Sequence, residues 1–428
     1  MPSYSPIVQK LRDELLWEVD DLEQAVKRAR QWDIPELDKY GIISAKGFLD
    51  FADWLIRGWV PTESTKGRDI YYILCVFYFI LSQEPLGSRQ TSIEPKNLNK
   101  KSLKPLSEWV VDFAMEIGKS MDDERSINEA SITSFRNSPL FRVFESENDA
   151  PNWKTFNQFF YRRLDNPREI DSPDDDRVVT FPADSTFAGA YEINDESEVV
   201  LKHIPWKVKD LLGKYGEAEL PDDSNLTYGE IFKDGLWTHV FLNSFDYHRQ
   251  HAPVSGVVEV IDTIKGAAYL EVQVKTDEQV GHNYLEPCRR IGQPEKNSKG
   301  ITTLDAPDTP GYQFLQTRGV IIINNECLGR VAILPIGMAM VSSVNVRKQL
   351  HGKKIKKGDE ISNFAFGGSD CVIMFQRKAR VSGFPDSDPA SREHFFYGEK
   401  LCRAYFNKNK EQEENEAKSG SRWNLVVV

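Results

Sequence analysis

The first 140 residues show the apolar spacing of helices. Apolar positions recur three or four residues apart with charged residues between them, the pattern of an amphipathic helix: Ile7, Leu11, Leu15, Leu16, Val19, Leu22 and Val26. The same reasoning predicts helices over residues 45–59, 70–81 and 106–121. The first of these should end before Pro61, because the residue before a proline avoids the helical region. Residues 1–140 therefore form a predicted helical N-terminal domain.

From Val178 onward the pattern changes to that of strands. Short apolar runs with alternation, separated by glycine or proline, predict strands over 178–181, 187–193, 254–264, 269–274, 319–324, 330–336 and 338–346. The remaining predictions are a polar linker over 122–150, helices over 153–164 and 208–212, and a long loop over 285–311. The predicted fold class is α+β. The helical domain precedes a β-rich, mainly antiparallel domain over 151–406 and a charged tail over 407–428.

Charge and composition narrow the class of partner. The chain has 428 residues and a net charge of −11, and no basic cluster is long enough for a nucleic-acid site. Five cysteines without a C-x-x-C pair favour reduced thiols in a cytosolic protein. The N-terminus lacks signal-peptide features, and the longest apolar run, Ile70 to Leu81, is too short to span a bilayer. We expect a cytoplasmic protein with at most peripheral membrane contact.

Two of the seven histidines lie together ahead of a predicted strand. His248 and His251 are three residues apart, and a helical turn would place both rings on one face before Pro253 forces extended backbone. Such a pair can bind a metal, but no third ligand follows at useful spacing, so no metal site is predicted. Two histidines beside a tyrosine and an arginine suit proton transfer better, since imidazole titrates near neutral pH.

A glycine-rich turn near the C-terminus holds the candidate nucleophile. The segment Phe366-Gly367-Gly368-Ser369-Asp370 allows positive φ and close approach to the Gly368–Ser369 peptide. By itself it is also the pattern of a β-bulge or tight turn with a solvated serine. With Asp184 and His251, Ser369 completes the set of orienter, base and nucleophile that recurs on unrelated folds. No G-x-S-x-G turn is present, which gives an α/β-hydrolase little support.

Four blocks of sequence resemble the signature segments of the phosphatidylserine decarboxylase family. They occur in the family's order: Phe159-Phe160-Tyr161-Arg162-Arg163-Leu164, Pro182-Ala183-Asp184, Asp246-Tyr247-His248-Arg249-Gln250-His251-Ala252-Pro253, and Phe366-Gly367-Gly368-Ser369. The helical N-terminal extension, with Ile336-Gly337-Met338 in a strand before the last block, is similar to the soluble branch that includes fungal tryptophan decarboxylases.

The resemblance implies an enzyme that first cuts its own chain. His251, held by Asp184, would deprotonate Ser369, whose Oγ would attack the Gly368 carbonyl. Cleavage between Gly368 and Ser369 would release residues 1–368 as one chain. The second chain, residues 369–428, would begin with a pyruvoyl group made from Ser369.

That pyruvoyl group is the cofactor the resemblance implies. It would hold an amino-acid substrate as a Schiff base while the α-carboxylate leaves, with His248 as the candidate proton donor. The expected substrate is a free amino acid, with an aromatic, tryptophan-like one as a candidate. The alternative is phosphatidylserine, giving phosphatidylethanolamine. An alternative of another class is a scaffold or binding protein on the same fold that does not process itself, and a homodimer stays open.

Two positions depart from the family's pattern. Asp370 follows the serine where relatives usually have Ser or Thr, and a carboxylate beside the scissile bond could raise the pKa of His251 or slow cleavage. Ser185 follows Asp184 where many relatives have Gly.

Overall fold

Helices make up most of the N-terminal third. The computed structural model describes residues 3–15, 20–97, 103–201, 204–277, 281–287, 294–296, 302–304, 311–339, 344–388 and 391–405. The α-helices of these ranges are α1 (Pro6–Lys10), α2 (Asp20–Arg30), α3 (Pro35–Lys39), α4 (Ala45–Arg57), α5 (Asp69–Ser82), α6 (Pro105–Met121), α7 (Glu129–Arg136), α8 (Phe156–Phe160), α9 (Val208–Leu211) and α10 (Tyr312–Leu315). The helices predicted over 45–59, 70–81 and 106–121 are confirmed as α4, α5 and α6.

Aromatic packing joins α4, α5 and α6. Helix α5 is apolar on all sides and almost entirely buried, so it needs neighbours all around it. Phe77 of α5 stacks on Phe113 of α6 at 4.6 Å and on Phe48 of α4 at 5.8 Å between ring centroids. Helix α4 begins after Ser44, whose Oγ accepts a hydrogen bond from the Gly47 amide at 3.3 Å.

Strands dominate the chain after residue 177. They are β1 (Val178–Thr180), β2 (Ser185–Glu192), β3 (Glu198–Leu201), β4 (Ile204–Lys207), β5 (Glu219–Leu220), β6 (Asp223–Thr227), β7 (Leu236–Phe241), β8 (Arg249–His251), β9 (Gly256–Ile264), β10 (Val272–Asp277), β11 (His282–Pro287), β12 (Pro294–Lys296), β13 (Thr302–Leu304), β14 (Arg318–Asn325), β15 (Gly329–Gly337), β16 (Val344–Val346), β17 (Lys354–Ile355), β18 (Glu360–Phe364), β19 (Gly368–Phe375), β20 (Val381–Ser382), β21 (His394–Phe395) and β22 (Lys400–Ala404). The α+β class with a helical N-terminal region is confirmed.

The largest sheet of the described residues places the glycine-rich segment near its centre. Its strand order is β17-β9-β14-β15-β19-β7-β2-β21, with antiparallel pairings throughout. Strand β19 lies between β15 and β7. Val372 and Met374 of β19 pack into one core, and Cys371, Ile373 and Phe375 pack into another. Both faces of β19 are therefore buried, since side chains alternate along a strand.

The apolar core of the helices continues into the β-rich region. Phe366, Met338 and Tyr312 belong to the same buried cluster as the side chains of α4, α5 and α6. Tyr78 of α5 also donates a hydrogen bond to the Ala339 carbonyl, directly after β15. The helical region thus packs against the segments on either side of the central strands.

Parts of the sequence prediction are wrong. The polar stretch 122–150 contains α7, which starts because the Asn128 side chain accepts a hydrogen bond from the Ser131 amide at 2.9 Å. The helix predicted over 153–164 shortens to α8, because Thr155 and Gln158 form a capping box at its start.

Two β-region predictions also change. The stretch 285–311 is not a continuous loop, since it contains β12 and β13. Met338 and Ala339 precede β16 outside any strand, and Ala339 has a φ of 55° that ends regular pairing. The predicted tail over 407–428 lies outside the described residues. Among the described helices, none combines the length and apolarity needed to cross a bilayer.

Candidate active site

The glycine-rich segment enters β19 through a bulge. Gly368 pairs with Gly337 of β15, and Asp370 pairs with Ile336, so one step along β15 corresponds to two steps along β19. The extra residue is Ser369. A bulge leaves one residue out of the hydrogen-bond ladder and is common beside active sites. Of Gly368 and Ser369 the structure describes the backbone, and the distance from the Ser369 hydroxyl to any partner lies outside what it describes.

His251 is fixed in one tautomer by its neighbours. Its Nδ1 donates a hydrogen bond to the Gly358 carbonyl oxygen at 2.7 Å. A carbonyl can only accept, so Nδ1 carries the proton and Nε2 keeps its lone pair, 3.2 Å from the Tyr247 hydroxyl. Burial lowers the pKa of His251 to about 4. The ring is therefore a neutral base at physiological pH.

The predicted helical turn through His248 and His251 is wrong. Arg249–His251 is β8, which pairs with β18, and the His251 amide donates to the Pro182 carbonyl at 2.7 Å. Alternation along a strand sends residues three apart to opposite faces, so the two imidazoles occupy different environments. Their separate surroundings suit separate roles.

Asp184 is paired with an arginine and does not hold His251 directly. Arg168 donates to both carboxylate oxygens, through Nε at 3.2 Å and a terminal nitrogen at 2.6 Å. The Tyr397 amide also donates to Oδ1 at 2.9 Å. Burial raises the pKa of Asp184, and Arg168 opposes that rise. A bidentate guanidinium binds a buried carboxylate more strongly than a neutral imidazole does, which accounts for the difference from the expectation.

Tyr397 links Asp184 to His251. Its amide binds the carboxylate, and its ring lies flat on the imidazole with centroids 3.8 Å apart and planes 5° apart. Asp184 can therefore position His251 through Tyr397, while the Gly358 carbonyl sets the tautomer.

His248 lies against the segment that leads to the glycines. Its ring stacks on Phe160 at 3.8 Å, its Nε2 donates to the Ser244 carbonyl at 3.3 Å, and its backbone carbonyl accepts from the Phe364 amide at 2.9 Å. Burial lowers the pKa of His248 to about 3. Its Nδ1 is buried with no hydrogen-bond partner within the described part of the chain. That nitrogen is free to meet a proton or a substrate group.

The charged neighbours of the two histidines are paired elsewhere. Arg249 binds the Glu360 carboxylate at 2.7 Å and the Tyr161 carbonyl at 2.8 Å. Asp246 accepts from His394 Nε2 at 2.8 Å, and this ion pair raises the pKa of His394 against the opposing effect of burial. In the described ranges, no three His, Cys, Asp or Glu side chains gather as a metal site would require.

Asp370, the departure beside the serine, is buried in a polar cluster. Its side chain is fully enclosed, its Oδ2 accepts a hydrogen bond from the Tyr312 hydroxyl, and His239 Nε2 lies 3.4 Å from the same oxygen. Its Oδ1 has no hydrogen-bond partner among the described residues. The cluster fixes the residue that follows Ser369.

Sequence reasoning missed most of these supporting residues. Tyr247 stands in the same block as both histidines and could have been found there. Arg168 and Gly358 lie a few residues outside the blocks and Tyr397 lies well beyond the last one, and only the folded backbone brings them to the site. His239 lies outside all four blocks, and nothing in the sequence indicates its contact with Asp370.

A neutral buried base and a glycine-flanked serine in a strand bulge suit acyl transfer within the chain itself. The sequence pattern of the phosphatidylserine decarboxylase family matches residues 156–403. The chain belongs to that family.

The relatives that the chain resembles include phosphatidylserine decarboxylase proenzymes and a tryptophan decarboxylase. Phosphatidylserine decarboxylase proenzyme of Fusobacterium nucleatum subsp. nucleatum is 27% identical over 277 residues, covering 64% of this chain and 75% of its own. Phosphatidylserine decarboxylase proenzyme 2 of Oryza sativa subsp. japonica is 26% identical over 270 residues, covering 61% of this chain and 37% of its own. L-tryptophan decarboxylase of Psilocybe cubensis is 22% identical over 267 residues, covering 60% and 55%. The match thus spans little more than a third of the rice protein.

Proposed function

We propose that this chain is a self-processing, pyruvoyl-dependent decarboxylase that cuts itself between Gly368 and Ser369. The observation that carries the proposal is the bulge at Ser369 in the centre of the largest described sheet. Family membership and the proenzyme names of several relatives support it. The neutral His251 imidazole supplies a base suited to activate a serine, provided that the Ser369 hydroxyl takes the place of the Tyr247 hydroxyl that Nε2 accepts from in this structure.

In the first reaction every proton and bond is accounted for by the chain and one water. His251 takes the Ser369 hydroxyl proton, the Oγ–carbonyl bond to Gly368 forms, and the Gly368–Ser369 amide bond breaks to give an ester as that proton passes to the Ser369 nitrogen. The Ser369 α-proton is then lost to a base, the Cβ–Oγ bond breaks, and the Gly368 carboxylate leaves. A proton returns to Cβ and gives an imine, water adds to that imine, and its nitrogen leaves as ammonia. No oxidant or reductant is required.

Neighbouring groups around the bulge favour this sequence. Gly367 has a φ of 108°, and glycine at 368 leaves the carbonyl accessible to attack. Asp184 and Tyr397 hold the plane of the His251 ring, so the imidazole has already lost rotational freedom before the reaction begins.

In the second reaction the pyruvoyl ketone supplies the electrophile that holds the substrate amine and withdraws electrons as carbon dioxide leaves. The residues fit such a group, because the bulge takes the backbone of residue 369 out of the regular ladder between β15 and β19. His248 is our candidate to return the proton, through its unpartnered Nδ1. A bound substrate carboxylate would raise the pKa of His248 by opposing charge, which is what an acid there needs.

We propose a free amino acid as the substrate, with an aromatic one as the leading candidate. The net charge of −11 and the enclosed Asp370 carboxylate one residue from the pyruvoyl position both disfavour a phosphodiester. The L-tryptophan decarboxylase of Psilocybe cubensis among the relatives supports this choice. Phosphatidylserine is the second candidate, favoured by the names of the other relatives.

One experiment tests cleavage and substrate together. The purified protein is run on a denaturing gel, and intact masses are measured before and after borohydride treatment. We expect two chains, with the shorter one starting at residue 369, blocked to Edman degradation and two mass units heavier after reduction. Carbon dioxide release is then compared between free amino acids and phosphatidylserine vesicles. A single intact chain after long incubation would refute the proposal and favour a non-processing binding protein.

A further inference from the structure

The aromatic ring of Phe366 connects the N-terminal helical region to the segment that contains the proposed cleavage site. Phe366 is buried, and three rings meet it edge-on: Trp59 at 5.3 Å and 75°, Phe156 at 5.6 Å and 72°, and Phe160 at 5.6 Å and 77°. Edge-to-face contacts with three rings fix both the position and the tilt of the Phe366 ring. We call Trp59, Phe156, Phe160 and Asn157 the Phe366 clamp.

The backbone of Phe366 is held as firmly as its ring. Its amide donates to Asn157 Oδ1 at 2.8 Å. The Asn157 amide nitrogen in turn donates to Asp122 Oδ1 at 2.8 Å and to the Gly118 carbonyl at 3.3 Å, at the end of α6. These two acceptors determine which way the Asn157 amide faces, so α6 sets the oxygen that receives Phe366.

One member of the clamp, Trp59, and the two acceptors of the Asn157 amide lie outside the segment shared with the family. The family match covers residues 156–403, whereas Trp59, Gly118 and Asp122 precede it. The N-terminal region therefore contributes contacts to a site whose chemistry belongs to the shared segment.

The chemical need for such a clamp follows from the glycines. Phe366 stands two residues before Gly368, and two glycines in a row leave the backbone free to sample many conformations. Attack by a side chain on its own preceding carbonyl needs a near-attack geometry, and misplacement by about 1 Å can cost about 10²-fold in rate. Downstream, Asp370 is fixed by β15 and β7. Upstream, the clamp is what limits the motion.

We propose that Trp59 is a positioning residue for self-cleavage, and that the N-terminal helical region thereby sets the rate at which the enzyme matures. The inference rests on the proposed cleavage at Gly368–Ser369. Trp59 itself touches none of the reacting atoms and acts through Phe366.

The test compares tryptophan variants in the full-length chain. Newly synthesised protein from cell-free translation is pulse-labelled, and the conversion of precursor to two chains is followed on denaturing gels. Trp59→Ala should slow conversion by about 10- to 100-fold, and Trp59→Phe should restore it to within about threefold of wild type. The matched control is Trp32→Ala, an exposed tryptophan of the same helical region that has no ring contact to Trp59 or Phe366 among the described residues.

A thermal unfolding midpoint for each precursor separates positioning from misfolding. The midpoints are measured in the Ser369→Ala background, where no variant is processed. Should Trp59→Ala fail to fold, Trp59→Leu and Asp122→Ala decide, since leucine keeps apolar bulk without an aromatic ring, and Asp122 is exposed and its loss removes one acceptor of the Asn157 amide. Folded variants at both positions that mature at the wild-type rate would overturn the inference. If wild type itself stays intact, the proposed function fails instead.

Discussion

The pH profile of self-cleavage is the sharpest consequence of the His251 environment. An exposed imidazole has a pKa of about 6.5, so at pH 5 only about 3% of it is neutral. Burial lowers the pKa of His251 to about 4, which leaves roughly nine-tenths of it neutral at pH 5. The cleavage rate at pH 5 should therefore exceed that of an exposed base by about 30-fold. We expect a flat profile from pH 8 to pH 5 and a fall through pH 4.

The lowered pKa of His251 also limits the pH range over which the cleavage rate can be measured on folded protein. The folded-state pKa of His251 lies below the unfolded value, so the unfolded chain binds more protons between pH 6.5 and 4. Stability is complete above pH 6.5 and declines as pH falls, by roughly 3 kcal/mol once pH 4 is reached. Buried His248, with its pKa lowered to about 3, adds a loss of the same sign. Tryptophan fluorescence at each pH shows which points belong to folded protein.

The assay uses pulse-labelled precursor diluted into buffers from pH 3.5 to 8, with samples taken over time for denaturing gels. His251→Ala should slow cleavage by about 10²–10⁴-fold, the usual contribution of a general base. Added imidazole should restore part of the rate, with a midpoint near the ordinary imidazole value of about 6.5 instead of about 4. The Ser369→Ala chain gives the uncleaved baseline. A wild-type midpoint near 6.5 in folded protein, or normal cleavage by His251→Ala, would refute the reasoning.

Three further predictions address the other site residues. His248→Ala should still yield two chains but lose most carbon dioxide release, and wild-type turnover would remove its assignment as proton donor. Arg168→Ala leaves Asp184 buried without its partner and should destabilise the fold by about 3–5 kcal/mol in urea unfolding, whereas a change below 1 kcal/mol would contradict the buried ion pair. Asp370→Asn and Tyr312→Phe should each destabilise the protein, and a double-mutant cycle should give a coupling energy of about 1–3 kcal/mol. An additive cycle would mean that the Tyr312 hydrogen bond does not stabilise Asp370.

The sequence was informative where a local pattern decides structure. Periodicity located α4 and α6, because a helix that buries one apolar face must repeat it at helical spacing, and the length of a continuous apolar run located α5. It could not decide between helix and strand for residues 248–251, since a four-residue stretch satisfies either pattern. Pairing of β8 with β18, more than a hundred residues away in the chain, made the choice.

The candidate site was also predictable only where a local pattern in the sequence decides the structure. Ser369 and its glycines stand in one short segment, and the bulge was among the structures that segment predicts. The partner of Asp184 could not be predicted, because a buried carboxylate binds whichever cation the fold brings nearest. Arg168 supplies that cation from a stretch with no periodic signal. The sequence blocks thus identify the reactive groups, whereas tertiary contacts determine their protonation states and their orientations.

The backbone of Ser369 lies in the bulge, outside the regular register of β15 and β19. Phe366 is fixed by the clamp on one side, and Asp370 is fixed by two strands and a buried polar cluster on the other. Backbone freedom is thereby confined to the two glycines and the bulged serine between these anchors. A peptide bond whose carbonyl is attacked by the side chain of the next residue needs a backbone that can bend at that point. It also needs rigid segments on both sides that limit the bending. The core that provides the upstream flank is the same one that holds α4, α5 and α6 together, so folding of the helical region should precede cleavage.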